Sequence, residues 1–248
     1  GYLFYGATLL LLLAVAVLGS TGGGARRWIS LGPVSLQPSE LAKIGLVIAL
    51  ASSLQRQVGE RHLSLRALMI PVALIVVPAA LILRQPDLGT AIVVAMTATT
   101  MLLVAGLRLR WLFYILAVAA PVAPYLYTHL KPYQQRRVLM FLDPSADPLG
   151  AGYHIIQSKI AIGSGMWNGK GYMHGTQNRL NFLPEQHTDF IFSVFAEEWG
   201  FLGACVLLVL YVALLLRCFM VIGRARDSFG VLLAFGVTAS IFWQVLIN

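Results

Sequence analysis

Apolar runs of roughly twenty residues recur along this sequence, and each is long enough to cross the hydrocarbon core of a bilayer as a helix. No other feature narrows the fold so far. A helix satisfies its own backbone hydrogen bonds, so it can live in lipid where a loop or open sheet cannot. Seven such runs are readable, at residues 2–18, 37–54, 67–83, 88–106, 111–127, 190–216 and 229–248. The chain is 58% hydrophobic and 11% charged, against roughly a quarter charged in soluble domains. Strand alternation is absent, which argues against an outer-membrane barrel. The expected fold is therefore all-α: a polytopic transmembrane helical bundle, one membrane domain over residues 1–248.

The connections carry the next layer of information. Ser39 is a candidate N-cap for the second run, and Glu40 suits the positive end of that helix. Residues 21–25, with three consecutive glycines, read as a flexible turn, and 84–89 as a tight one. A 61-residue stretch, 128–188, separates the fifth and sixth runs. It is too long for a simple connection, so function is expected there. Within it, residues 154–167 are mildly apolar but too short to span, and read as re-entrant or interfacial. The loops at 55–66, 108–110 and 217–227 share one side and hold eight arginines, which makes that side cytoplasmic. The long loop is then extracytoplasmic. Its cations, with Arg27 on the same side, call for an anionic ligand.

The net charge of +8 has no basic aromatic surface behind it, so nucleic acid is not an expected partner. Cys205 and Cys218 fall in one apolar run and read as small buried hydrophobes. No cleavable leader is apparent, since Gly1 opens directly into a span.

The chemical centre is expected at residues 178–193, where a polar segment meets the sixth run. An ionisable group at such a border is costly if it enters the bilayer unpaired, so it is a functional candidate by default. Asp189 is that group. Glu197 and Glu198 lie about 12 Å further along the helix at 1.5 Å per residue, too deep for the same proton transfer. They read as internal structural pairs.

Several motifs in order then point to a family. Arg27-Trp28, the stretch from Gln37 to Lys43 (QPSELAK) and that from Gln85 to Thr90 (QPDLGT) resemble the SEDS family of shape, elongation, division and sporulation proteins, RodA, FtsW and SpoVE. So do DPLGAGY at 147–153, QSKIAIGSG at 157–165 and LPEQHTDFIF at 183–192. The Gly175-Thr176-Gln177 segment resembles the RodA branch more than the FtsW branch. The family has ten spans, so seven here imply a partial domain lacking the first two spans and the last loop and span.

The resemblance implies a peptidoglycan glycosyltransferase that polymerises lipid II into glycan strands during cell-wall elongation. It implies a bacterial cytoplasmic-membrane protein with an extracytoplasmic active site. Its partners would be lipid II, the growing lipid-linked glycan, membrane lipids and a class B penicillin-binding protein, the crosslinking transpeptidase. The residues suit that chemistry. A carboxylate near the sugar hydroxyl can act as base, and Asp189, at the outer start of the sixth run, fits that role because the start of a helix favours its ionised form. An α-linked diphosphate donor and a β-linked product imply inversion without a covalent intermediate. Arginine and lysine stabilise a departing diphosphate, and Arg27, Lys43, Lys159, Arg136, Arg137 and Arg179 are candidates. A divalent cation, magnesium or manganese, could bridge diphosphate and carboxylate, although no ligand spacing demonstrates one.

A structural reading stands beside each candidate. Asp189 could simply cap the sixth run. Glu40 and Lys43, three apart, share a helix face and could be only a bracing ion pair. Asp87 reads first as a turn or cap residue, and His187 and His154 as hydrogen-bonding loop residues. Trp28 is either an interfacial anchor or part of the substrate site. Two other functions compete with the enzyme. A lipid II transporter predicts mid-membrane charges and internal repeats, and the charges instead gather at the outer surface. A non-catalytic scaffold for the transpeptidase needs no outer cluster of carboxylate and cations.

Overall fold

The computed structural model describes residues 1–22, 25–31, 34–57, 65–85, 87–111, 113, 114, 117, 127, 128, 135, 153–175 and 190–247. Helices and strands follow in the order α1 (Tyr2–Leu18), β1 (Ser20–Gly22), β2 (Ala25–Leu31), β3 (Val34–Leu36), α2 (Pro38–Leu54), α3 (Leu65–Arg84), α4 (Leu88–Val104), α5 (Tyr153–Ser164), α6 (Ile191–Arg224) and α7 (Ser228–Ile247). They fall into two units, one of Gly1–Phe113 with Leu215–Asn248, the other of Tyr114–Leu214.

Of the seven expected spans, α3, α6 and α7 are long and apolar enough to cross a membrane. Helices α1, α2 and α4 have 17 residues each, at the short end of the roughly 17–25 that a span requires. The fifth expected span lies largely outside the described residues. Two boundaries move. The second helix starts one residue before Ser39, with Gln37 as its N-cap and Pro38 in the first turn. Proline is favoured there because its missing N–H has no helical partner to lose. The sixth helix continues through Arg217 to Arg224, so the loop expected at 217–227 shrinks to Ala225–Asp227.

Thr21, Gly22 and Ala25, inside the segment expected to be a flexible turn, belong to a three-stranded antiparallel sheet, β1-β2-β3, while Gly23 and Gly24 between them lie outside the described residues. Its strands have three, seven and three residues, too short for their alternation to stand out beside the apolar runs. Ser20 pairs with Trp28 and Thr21 with Arg26, so the register skips at Arg27. Such a bulge bends the strand and re-aims a side chain.

In the first unit α2 is the interior helix. It packs against α1, α3, α4 and α7 and buries Leu46, Leu50 and Leu54 completely or nearly so. Small residues let the backbones close up, as membrane helices require. A Cβ at Gly45 would lie 2.7 Å from the Thr8 hydroxyl, and one at Gly236 would lie 2.6 Å from a Val47 methyl.

Helix α3 contains Pro71 and Pro78. Each removes the N–H that would bond the carbonyl four residues earlier, freeing those of Ala67 and Leu74. Both find donors from elsewhere. The Gln57 amide donates to Ala67 O at 3.4 Å, and the Tyr5 hydroxyl donates to Leu74 O at 2.8 Å. Buried backbone carbonyls in a membrane helix need such substitutes, and here α1 and the turn after α2 supply them. The outward face of α3 is apolar, with Met69, Ile70, Val72 and Val76 exposed, as a lipid-facing surface would be.

In the second unit α6 is broken near its start. Gly200 has φ 64° and ψ −166°, a left-handed conformation that favours glycine. The break forgoes the helical bonds from Phe201 N to Glu197 O and from Leu202 N to Glu198 O. The loop after α5 replaces both. Phe201 N donates to Met166 O at 2.8 Å and Leu202 N to Trp167 O at 3.1 Å, while Lys170 N and Gly171 N donate to Glu197 O and Glu198 O, each at 3.0 Å. Two donors and two acceptors of the helix are thus traded, one for one, with those of residues 166–171. The approach is close because the crossing residues are glycines. A Cβ at Gly165 would sit 2.0 Å from Ala196 O, and one at Gly169 would sit 2.1 Å from Glu198 O.

Candidate functional site

The polar residues of the first unit are tied to helix ends. Asp87 caps α4 from its N-terminus. Its carboxylate accepts from Thr90 N at 3.3 Å, from the Thr90 hydroxyl at 2.9 Å and from the Gln37 amide at 3.3 Å. This is the ordinary chemistry of an aspartate N-cap, extended by the Gln37 contact to the start of α2. Asp87 is buried.

Lys43 is buried on α2, with 7% of its side chain exposed, and pairs with Glu40 at 2.9 Å. Its ammonium also donates to Gln244 Oε1 of α7 at 2.9 Å. Glu40 is the solvated member, 47% exposed, so the pair faces outward on one side and braces α2 against α7 on the other. A second bond, from Trp243 Nε1 to Thr100 Oγ1 at 2.9 Å, holds α7 to α4. Trp28 is half-buried in β2, and Arg27 occupies the bulge beside it.

The second unit brings together residues that motif reading alone leaves apart. Lys159 lies exposed on α5. One residue earlier, the Ser158 hydroxyl meets the Ser193 hydroxyl of α6 at 2.5 Å. At the end of α5, the one proton of the Ser164 hydroxyl is shared between Ala161 O at 2.9 Å and Glu197 Oε1 at 3.4 Å. Lys170 Nζ meets the same Glu197 oxygen at 2.7 Å. Glu197 is fully buried and Lys170 is 29% exposed. The pair stands at the Gly200 break, where the loop backbone is already bonded to the helix.

Lys170 is among the loop cations for which the sequence suggests an anionic ligand. Its ammonium instead serves a carboxylate of the chain itself. Glu197 reads as an internal pair from its depth alone, but its partner is 27 residues away and no spacing rule joins them. Ser158 and Ser164 carry no motif signal beyond their place in the QSKIAIGSG stretch, and Ser193 lies one residue past the LPEQHTDFIF stretch.

Beside the break, Asn168, Phe195, Trp199, Leu202, Gly203 and Val206 line an open apolar groove of about 370 Å³. Phe195 and Trp199 stack with ring centroids 6.0 Å apart. Asp189, Arg179, His187, Arg136 and Arg137 lie outside the described residues, as does the side chain of His154. Among the described residues no three of His, Cys, Asp and Glu gather as metal ligands.

Comparison with known proteins connects these elements to a family. The profile of the cell cycle protein family that joins FtsW, RodA and SpoVE matches residues 2–248. The peptidoglycan glycosyltransferase MrdB of Escherichia coli K12 is 46% identical over 241 residues, covering 97% of this chain and 65% of that protein. The probable peptidoglycan glycosyltransferase FtsW of Aliivibrio salmonicida is 43% identical over 245 residues, covering 97% of this chain and 60% of that protein. The chain thus spans a little under two thirds of the length of these relatives. Among solved structures, a peptidoglycan synthase complex that coordinates polymerisation and crosslinking contains a chain matching with TM-score 0.79 and 38% identity, over 96% of this chain and 66% of that one. The crystal structure of the rod shape determining protein RodA of Thermus thermophilus matches with TM-score 0.66 and 32% identity, over 99% of this chain and 63% of that one.

Proposed function

The chain belongs to the FtsW/RodA/SpoVE cell cycle protein family of multi-pass membrane proteins, and from that premise we propose that the protein it forms part of polymerises lipid II into glycan strands. The observation that carries this reading is the 46% identity to a peptidoglycan glycosyltransferase across 97% of the chain.

The reaction joins a sugar hydroxyl of one lipid-linked glycan to the anomeric carbon of another. Asp189 takes the hydroxyl proton, the new glycosidic bond forms with inversion, and the bond to the lipid diphosphate breaks. The electron pair leaves with the diphosphate. Cations oppose the charge that gathers there, and Lys159 and Arg179 are the leading candidates, with Arg27, Arg136 and Arg137 in reserve. The exposure of Lys159 supports its role. Lys43 and Asp87 are less suited to substrate contact, because Glu40, Gln244, Thr90 and Gln37 already engage them. His187 and Trp28 are candidates for contacts to the sugar.

The partner in this proposal is a class B penicillin-binding protein. Support comes from the similarity to a chain of a peptidoglycan synthase complex. The active site would face the outside of the bacterial cytoplasmic membrane, with the arginine-rich ends inward.

The test is lipid II polymerisation by the full-length protein with its partner, the partner's transpeptidase serine being inactivated. Asp189→Asn is expected to lose long glycan strands while binding the partner normally, a fall of about 10²–10⁴-fold for loss of a general base. Undiminished polymerisation by Asp189→Asn would remove Asp189 from the mechanism. Wild-type protein that moves labelled lipid II across vesicles without polymerising it would make the protein a transporter instead.

A further inference from the structure

Three ties join α5 and the loop after it to the first segment of α6, and two of them end on one atom. Ser158 meets Ser193, while Ser164 and Lys170 both reach Glu197 Oε1. Ser193, Ala196 and Glu197 are spaced i, i+3 and i+4, so they lie on one face of α6. That face receives α5 and the loop after it, with Gly165 against Ala196 O. The backbone exchange at Gly200 fixes the same loop from the other side. Glu197, fully buried, is where side-chain and backbone ties converge.

The two elements so joined are those that carry the proposed chemistry. Helix α5 bears Lys159, and α6 begins two residues after Asp189 in the sequence. We infer that Glu197 is a positioning residue. Clamped to Lys170 and Ser164, it sets the separation between the Lys159 helix and the chain leaving Asp189, so that base and cation serve one sugar diphosphate. Glu197 takes no part in the proton transfer. The inference rests on the polymerase reading above. Its physical basis is that orientation dominates reactions without a covalent intermediate, where a misplacement of about 1 Å can cost about 10²-fold in rate.

The test uses the full-length protein with its partner and lipid II. Removing one charge alone would leave its buried partner uncompensated, so the variant is the neutral pair Lys170→Met/Glu197→Gln. It keeps the side-chain volumes, and the glutamine oxygen can still accept from Ser164. A second readout is the distance between spin labels on the exposed positions Ile162→Cys and Phe192→Cys, with Cys205 and Cys218 replaced by alanine. The neutral pair is expected to lower kcat at least tenfold per folded molecule, with KM within about twofold, and to broaden the label distance. Wild-type kcat in the neutral pair overturns the inference. So does a lowered kcat with an unbroadened distance, because the charge of Glu197 rather than the clamp would then matter. Should the neutral pair not fold, Ser164→Ala removes one of the two ties to Glu197 without touching a charge and is judged by the same outcomes. Wild-type protein that fails to polymerise sinks the polymerase reading and this inference together; an active wild type with an unaffected variant sinks the inference alone.

Discussion

Pro71 and Pro78 leave two carbonyls of α3 without their helical donors, and Gln57 and Tyr5 each supply one. The cost of losing such a donor is that of a stranded carbonyl, about 1–3 kcal/mol in general and nearer 0.6–1.7 kcal/mol for interhelical bonds in membranes. Tyr5→Phe removes only the donor and keeps the ring. It is expected to destabilise the protein by about 1 kcal/mol in a reversible unfolding measurement in detergent, and an unchanged midpoint would show that Leu74 O finds another donor. Glu40→Gln should cost less, because Glu40 is about half exposed and an exposed ion pair contributes little. The prolines and the tyrosine are visible in the sequence, but the match between them is not. It depends on α1 lying against α3 at the height of Leu74.

At the scale of the element, α6 departs furthest from expectation. A helix of 34 residues would be about 51 Å long if unbroken, well beyond the roughly 30 Å core of a bilayer. Its break at Gly200 is stabilised by a loop that contributes as many donors and acceptors as the helix gives up. A side chain at Gly200 meets two obstacles, a positive φ and the backbone nitrogen of Gly169 at 2.2 Å from the added Cβ. The conformational cost alone is on the order of 1–3 kcal/mol, and the clash adds to it. Gly200→Ala is therefore expected to lower the melting temperature of the purified protein clearly, whereas Gly163→Ala, with open space around its Cβ, is not. Equal melting of the two variants would mean that α6 straightens and the loop moves away. The motif reading reaches residues 157–165 and 183–192 as separate blocks. That Ser158 of the first block bonds Ser193, one residue past the second, follows from packing of α5 and α6, which no spacing within either block encodes.

At the scale of the molecule, the first unit is built around α2, a helix that carries Glu40 and Lys43 and is surrounded by more apolar neighbours. Close approach of α7 to α2 and α4 requires Gly236, whose added Cβ would press on Val47 and Met101. Gly236→Val is expected to reduce the yield of folded protein and its melting temperature, and Gly223→Val, at a position with nothing nearby, to leave both unchanged; parity between them would refute the packing account. The apolar runs by themselves determined that the chain crosses a membrane as helices, because lipid leaves an unpaired backbone no alternative. They also fixed most helix positions to within a few residues, since the change from apolar to polar residues marks where lipid ends. Motif order determined the family. The tertiary structure alone decided that Ser20–Gly22, Ala25–Leu31 and Val34–Leu36 pair as a sheet, since three short strands gain their hydrogen bonds only from one another. It alone decided that Lys43 faces Gln244, that Lys170 neutralises Glu197 and that α6 breaks around a loop. Each of these joins residues distant in sequence, and their energies come from pairing and desolvation, which exist only once the chain has folded.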